Sequence, residues 1–396
     1  MKEGWEYKKL GEACDFEGGS QPPKSEWINH PQNGYIRMLQ IRDFTKSRNA
    51  EIEYVKITKK LRLCKDDDIL IGRYGASVGK ILTGLAGAYN VAIIKSIPNE
   101  ELIKKDFIRR YFESPLFQSI LFKVCTSRTA QAGFSKDDIK DELIPLPPLS
   151  EQQRIVDYLD AAFAKIDAMK ANAEKSLGEA KALFQASLKE MLEPKEGWDV
   201  ATIGKLGDIF GRIGFRGYTK KDLVEGPDKG AITLSPSNIQ DGSMDYTNCT
   251  YISWFKYEES PEIMINNGDV LIVKTGSSYG KSAFVENLPH KATINPQSVV
   301  IKNIKINNKF FAYLIRTPWV KAKFDKFVSG TAIPTFSQAK LSQVELSYPS
   351  NDMQIDICKK LDSLKSKVDR LQANFEKISQ ECDALKQALL REVFEG

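Results

Sequence analysis

A chain of 396 residues exceeds what a single hydrophobic core usually supports, so two or more domains are expected. Its 42% hydrophobic and 28% charged residues are ordinary for a globular protein, and no run of eighteen or more apolar residues is present, which excludes a helical membrane protein. The net charge of +5 suits a polyanionic partner but is small enough to be a solubility feature.

The opening residues, Met1-Lys2-Glu3-Gly4-Trp5, carry no apolar export signal, so a cytoplasmic protein with no membrane association is expected. Six cysteines are scattered without a Cys-x-x-Cys pair, which argues against a disulfide framework and a zinc site. The two histidines, His30 and His290, lie apart from any arrangement that suggests nucleophilic catalysis.

In chain order, residues 1–149 read as mixed α/β, with strand-like runs at 35–41 and 69–72 and a helix-like stretch at 105–123. Pro145-Leu146-Pro147-Pro148-Leu149 cannot be helical, and Ser150-Glu151-Gln152-Gln153 has the Ser-x-x-Gln pattern of a capping box. No proline then occurs before Pro194, so residues 150–193 predict one helix of about 65 Å, which needs a partner. Residues 194–349 repeat the mixed pattern, with strands at 231–234 and 270–274 and a helix at 308–327. Pro349 and Asp352 open a second proline-free helix over 350–396.

The order domain, helix, domain, helix is a tandem duplication. Glu3-Gly4-Trp5 with Leu10-Gly11 recurs as Glu196-Gly197-Trp198 with Ile203-Gly204. Asp68-Ile69-Leu70-Ile71 with Gly75, Ser77, Gly79 and Lys80 recurs as Asp269-Val270-Leu271-Ile272 with Gly276, Ser278, Gly280 and Lys281. Thr129-Ala130, Phe134-Ser135, Pro147, Gln152, Ile155, Leu159 and Asp160 recur as Thr331-Ala332, Phe336-Ser337, Pro349, Gln354, Ile357, Leu361 and Asp362. The offset grows from about 193 to about 202, so the second copy carries about nine extra residues.

In the second helix Leu361, Val368, Phe375, Cys382 and Leu389 recur every seven residues, and Leu364, Leu371, Ile378 and Leu385 fall three positions later, a sustained heptad seam. The corresponding positions of the first helix are smaller: Leu159, Ala162, Ile166, Met169, Ala173, Ser176, Ala180, Leu183 and Ser187. A duplicated unit meeting itself about a pseudo-two-fold axis places equivalent helices head to tail. The expected fold is therefore two mixed α/β globular domains with two long α-helices that form an antiparallel intramolecular coiled coil. Pairing of each helix with another chain is the alternative.

Residues 1–149 carry 24 Lys+Arg against 20 Asp+Glu, and residues 194–349 carry 19 against 15, so the positive charge belongs to the globular halves. Gly75 to Lys80 and Gly276 to Ser282 resemble phosphate loops, but three residues rather than four separate their glycines, and the segment that follows reads as strand and turn. Two readings stay open: a tight structural turn, or a backbone loop approaching a DNA phosphate. No Asn-Pro-Pro-Tyr-like or Asp-Pro-Pro-Tyr-like methyl-transfer pocket is found. The acidic run Asp66-Asp67-Asp68 has Asn267-Gly268-Asp269 as its counterpart in the second copy, so the acidity is not repeated, which points to a solvated turn rather than a nuclease centre.

The segment Leu143 to Val156, entering a long helix behind Thr129 and Phe134-Ser135, closely resembles the end of each target-recognition domain in specificity subunits of type I restriction-modification systems. The resemblance runs the whole chain: recognition domain 1–149, conserved helix 150–193, recognition domain 194–349 and conserved helix 350–396. It implies a non-catalytic subunit that reads a bipartite, asymmetric site in double-stranded DNA, one domain per half-site, with the helices setting the unread gap. It also implies two adenine-N6 methyltransferase (M) subunits and restriction (R) subunits as partners. S-adenosylmethionine, ATP and Mg would bind those partners, and this chain would bind no cofactor and no metal. Ser350-Asn351-Asp352-Met353-Gln354 departs from the family's pattern at the second helix. Candidate DNA contacts are polar or basic residues at turns: Gln40, Arg42, Arg73, Tyr74, Ser77, Lys80 and Arg128, then Ser237, Asn238, Lys274, Ser278, Tyr279 and Lys281. A helical scaffold that does not read DNA is the competing expectation.

Overall fold

The computed structural model describes residues 4–45, 51–126, 133–329 and 333–395. The chain divides into two compact units, Met1–Glu174 with Phe375–Gly396, and Lys175–Asn374. Each unit therefore holds one globular half and a stretch of both long helices.

In the first unit, strand Glu6–Lys9 pairs antiparallel with Leu143–Leu146, in the register Glu6↔Leu146 to Lys9↔Leu143. That pairing ties the start of the globular half to its end. One four-stranded sheet follows the order Cys14–Gly18, Ile93–Pro98, Leu70–Gly72, Ile81–Leu82. A second follows the order Tyr54–Lys56, Tyr35–Leu39, Gly87–Tyr89, Leu63–Cys64, with one parallel pairing at Met38↔Ala88.

The helix expected at 105–123 is two helices, Lys105–Glu113 and Pro115–Thr126. Pro115 has no N–H to continue the first, so the chain turns at Ser114, whose Oγ donates to Tyr111 O at 2.6 Å. Phe107 and Tyr111, and Ile108 and Phe112, stand four apart on one face and enter the core with Phe117 and Leu121. The end of the second long helix joins them, with the Phe394 ring 5.4 Å from Phe107 and 5.6 Å from Tyr111.

The second unit repeats this plan. Asp199–Thr202 pairs with Glu345–Tyr348, and a six-stranded sheet runs Asp208–Gly211, Ser298–Lys302, Val270–Val273, Ser282–Phe284, Ser243–Met244, Ile239–Gln240. The five-stranded sheet runs Leu223–Val224, Thr250–Ser253, Gly230–Leu234, Ala292–Ile294, Met264–Ile265. Proline again splits the terminal helix, into Asn308–Ile315 and Pro318–Asp325.

The long helices are Leu149–Leu192 and Asn351–Phe394, 44 residues each. The first starts one residue earlier than expected, and its capping box is not formed. Pro148 O accepts the N–H of Gln152 at 2.9 Å, Ser150 is already helical, and Gln153 donates to Asp157 at 2.8 Å. The neighbouring glutamine does the work at this end instead. Gln152 is fully buried, accepts from Lys104 N–H at 2.7 Å, and donates to Leu102 O and Pro147 O at 2.9 Å. Gln354 repeats the pattern, accepting from Asn307 N–H at 2.9 Å and donating to Pro349 O at 2.7 Å. About two turns further on, Arg110 binds Asp160 in the first unit, and Tyr313 Oη donates to Asp362 in the second.

Within the first unit Lys170 meets Asp383 and Asp167 meets Lys386, so the two helices run antiparallel. Within the second, Lys181 donates to Gln372 with the same polarity. Leu159, Ile166, Leu361 and Cys382 are buried, and Leu364, Val368, Leu371, Phe375, Ile378 and Leu389 are half-buried.

Three seam assignments are corrected. Met169 and Leu183 are 59% and 58% exposed, because the first helix keeps the seven-residue positions Leu159 and Ile166 but places its other inward positions one residue later, at Phe163, Leu177 and Phe184. The first seam is therefore not a small-residue face. Leu385 is 47% exposed, and Lys386 turns inward in its place, toward Asp167 and 5.1 Å above the Phe163 ring. Among the described residues no helix is long and apolar enough to cross a membrane.

Candidate nucleic-acid interface

The Gly-x-x-x-Gly-Lys segments are hairpin turns. In the first unit, strands Leu70–Gly72 and Ile81–Leu82 pair antiparallel, and Gly79 N donates to Gly72 O at 3.0 Å while Gly72 N donates to Lys80 O at 2.9 Å. A Cβ on Gly72 would lie 2.2 Å from Ser77 O, so only glycine allows the turn to fold back this closely. Ser77 N, Val78 N, Gly79 N and Lys80 N all donate within the turn, which leaves them unable to cradle a phosphate. Tyr279 N, Gly280 N and Lys281 N are spent in the same way in the second unit. A strand, not a helix, follows each turn. This favours the tight structural turn.

Each turn stands beside a second group of candidates. Ile41 lies between Gln40 and Arg42, and its Cδ1 is 3.2 Å from where a Cβ on Gly72 would stand. Gln40 and Arg42 are already engaged: both donate to Glu53, at 2.9 and 2.6 Å, and Lys24 reaches the same carboxylate. Burial pushes the Glu53 pKa up, but hydrogen bonds from Lys24 and Gln40 and the charges of Lys24 and Arg42 prevail and hold it below the usual value. Arg73 ties its turn to a distant segment, with Nε donating to Phe134 O at 3.1 Å, and its guanidinium stands 5.1 Å from the Tyr74 ring. Tyr74 and Lys80 are exposed and Ser77 is half-buried. Arg128 lies outside the described residues.

In the second unit the hairpin Ile239–Gln240 and Ser243–Met244 abuts the turn, and the two line a cleft of about 400 Å³ with Ser278, Tyr279, Lys281, Arg316 and Lys321. Ser237 is exposed and bonds Ser235 Oγ at 2.7 Å. Tyr279 Oη donates to Asp325 at 3.0 Å, and Lys321 Nζ stands 4.5 Å from the Tyr279 ring. Lys281 is exposed with no ion pair among the described residues.

Asn238, expected to touch DNA, is buried instead. It is 4% exposed, its Oδ1 accepts from Ser235 N and Oγ, and its Nδ2 donates to Asp245 O and Asn248 O. With its amide saturated, Asn238 holds the short helix Pro236–Asn238 rather than reading a base. Lys274 occupies the place of Arg73 but is half-buried and has no acidic partner among the described residues. Burial pushes its ammonium pKa below the usual lysine value.

The acidic run before each turn is structural in part. Asp68 Oδ2 accepts from Lys65 N at 2.9 Å, and Asp269 Oδ2 accepts from Asn266 N at 2.8 Å. Asp67 binds Lys105 at 2.8 Å. Among the described residues no group of three His, Cys, Asp or Glu side chains converges as a metal site. Glu53, Gln240, Arg316 and Lys321 escape the sequence reading. For Arg316 a signal existed: the repeat aligns it with Glu113, a reversal of charge.

Residues 2–177 and 195–380 match the family model described as the type I restriction modification DNA specificity domain. The chain belongs to this family. The type I restriction enzyme MjaVIII specificity subunit of Methanocaldococcus jannaschii is 22% identical over 389 residues, covering 93% of this chain and 88% of the relative. Two solved chains share the fold. One, from work on complex assembly and conformational transition of the type I R-M system, has a TM-score of 0.73 at 18% identity, covering 99% of this chain and 98% of the other. The other, the HsdS subunit from Thermoanaerobacter tengcongensis, has a TM-score of 0.52 at 16% identity, covering 100% and 98%. Both copies of the specificity domain thus carry the hairpin turn, the glutamine latch and the proline-split helix. They differ in the charged side chains around the turn.

Proposed function

We propose that this chain is the DNA-recognition subunit of a type I restriction-modification assembly. The observation that carries the reading is the double match to the specificity-domain family, one copy per globular half. Residues 1–149 and 194–349 each read one half of a bipartite, asymmetric duplex site, and the helices within 150–193 and 350–396 set the gap and receive two methyltransferase subunits. Restriction subunits join for cleavage, and S-adenosylmethionine, ATP and Mg belong to the partners. The chain itself performs no chemical step and acts in the cytoplasm.

Support comes from the way each fold is built. A hairpin turn built alike in both units carries Ser77 and Lys80, or Ser278 and Lys281, while the residues that lead into it differ, Arg73 and Tyr74 against Lys274 and Thr275. Side chains can then diverge without cost to the fold, which is what two independent specificities require.

Binding of the full chain with methyltransferase subunits to duplexes of varied sequence tests this. Selective binding to a two-part site, weakening as salt rises, is the expected result. Equal affinity for every sequence, or salt-independent binding, would overturn it in favour of a scaffold.

A further inference from the structure

Arg316 closes the helix Asn308–Ile315, and its guanidinium makes no hydrogen bond and no ion pair among the described residues. It is held in place all the same. The turn Asp241-Gly242 has positive φ at both residues, 47° and 83°, and a Cβ on Gly242 would fall 2.0 Å from Arg316 Nη1. Glycine is required for the guanidinium to lie flat against this turn. Burial lowers the Arg316 pKa, opposed by the charges of Tyr313 and Asp241. The group thus gives up hydration with no salt bridge in return.

The same guanidinium lines the cleft of about 400 Å³ with Gln240, Ser278, Lys281 and Lys321. Ser282, also in its lining, is 3% exposed, and its Oγ has no hydrogen-bond partner. Asp241 is the acid in that lining, against three basic side chains, of which Lys321 also stands 3.7 Å from Asp325. An anion with several acceptor oxygens fits these donors. In the first unit the aligned residue is Glu113, and it binds Arg110 at 2.7 Å, with Arg110 also bound to Asp160. That arginine is neutralised where its neighbour in the repeat is open.

We infer that this cleft seats one backbone phosphate of the DNA, with Arg316 as its main ligand and Lys281 and Lys321 beside it. The two recognition domains then hold their half-sites differently, the second through a phosphate clamp at a position where the first has an internal ion pair. The inference rests on the DNA-recognition reading. A phosphate is favoured over an acidic peptide because the cleft is walled by the turn that presents Ser278 and Lys281.

The experiment measures DNA affinity of the full chain assembled with methyltransferase subunits across a salt series. Arg316→Gln is expected to make the slope of log K against log salt shallower by about 0.9, the loss of one phosphate contact, and Arg316→Lys to keep it. Melting of each variant checks folding. If Arg316→Gln melts early, Lys281→Gln, at an exposed position, must itself lower the slope by a similar amount. An unchanged slope in the folded variant overturns the inference. So does loss of the methyltransferase subunits on size exclusion with DNA binding of the intact assembly unaltered, the outcome for an acidic peptide. A wild-type assembly with no salt dependence would instead overturn the DNA-recognition reading, and the inference with it.

Discussion

Every polar atom of the Gln152 carboxamide is used, and the groups it satisfies are backbone atoms of the loop before one helix and of the start of another. Removing it leaves those buried groups without partners. Gln152→Leu should therefore cost roughly 3 kcal/mol of stability in urea or thermal unfolding. The adjacent, exposed Gln153→Leu should stay within about 0.5 kcal/mol. Equal effects of the two would remove the latch from the account. Lys274 presents the opposite case, a charge that the fold disfavours. Since burial depresses its folded pKa below the unfolded value, the penalty is present at neutral pH and is relieved as pH rises through the folded pKa. Lys274→Met should leave neutral-pH stability equal or higher, with the difference from the parent shrinking as pH approaches the ordinary lysine pKa, while DNA binding weakens. Loss of stability in that variant, followed by melting temperature against pH, would contradict it.

Among the elements, the long helices separate what a sequence displays from what it conceals. The second helix shows its seam plainly because large apolar residues recur every three and four positions. The first shows only half of its seam. Alanine and serine at Ala162, Ala173, Ser176, Ala180 and Ser187 fit either side of the helix, so the inward set Phe163, Leu177 and Phe184 cannot be told from Met169 and Leu183 without the partner helix. Phe163→Ala and Phe184→Ala should each destabilise by about 3–5 kcal/mol, whereas Met169→Ala and Leu183→Ala should change little. Circular dichroism melts of the four variants measure the contrast, and the reverse ranking would reject the register. The short strands and the proline-split helices follow from local rules that the sequence displays. The bonds of Gln40 to Glu53, of Tyr279 to Asp325 and of Asn238 Nδ2 to Asp245 O and Asn248 O do not, because those partners lie on segments whose approach depends on the whole domain.

For the whole molecule, the duplication divides into constant and variable parts. The latch, the hairpin turn and the seam recur, while Arg110 with Glu113 in one copy becomes Tyr313 with Arg316 in the other. If the helices set the gap, inserting one heptad into each should lengthen it, by up to about three base pairs at 1.5 Å per residue. Methylation at the original spacing alone would argue against that role. The central claim is that two separate readers share one chain. Its most direct test is to map N6-methylated adenines in DNA exposed to the assembled methyltransferase, first with this chain and then with residues 1–149 exchanged for those of another family member. The account predicts two short defined half-sites at a fixed gap, with the exchange altering one half and leaving the other and the gap intact. A single uninterrupted site, or a change in both halves, would contradict it.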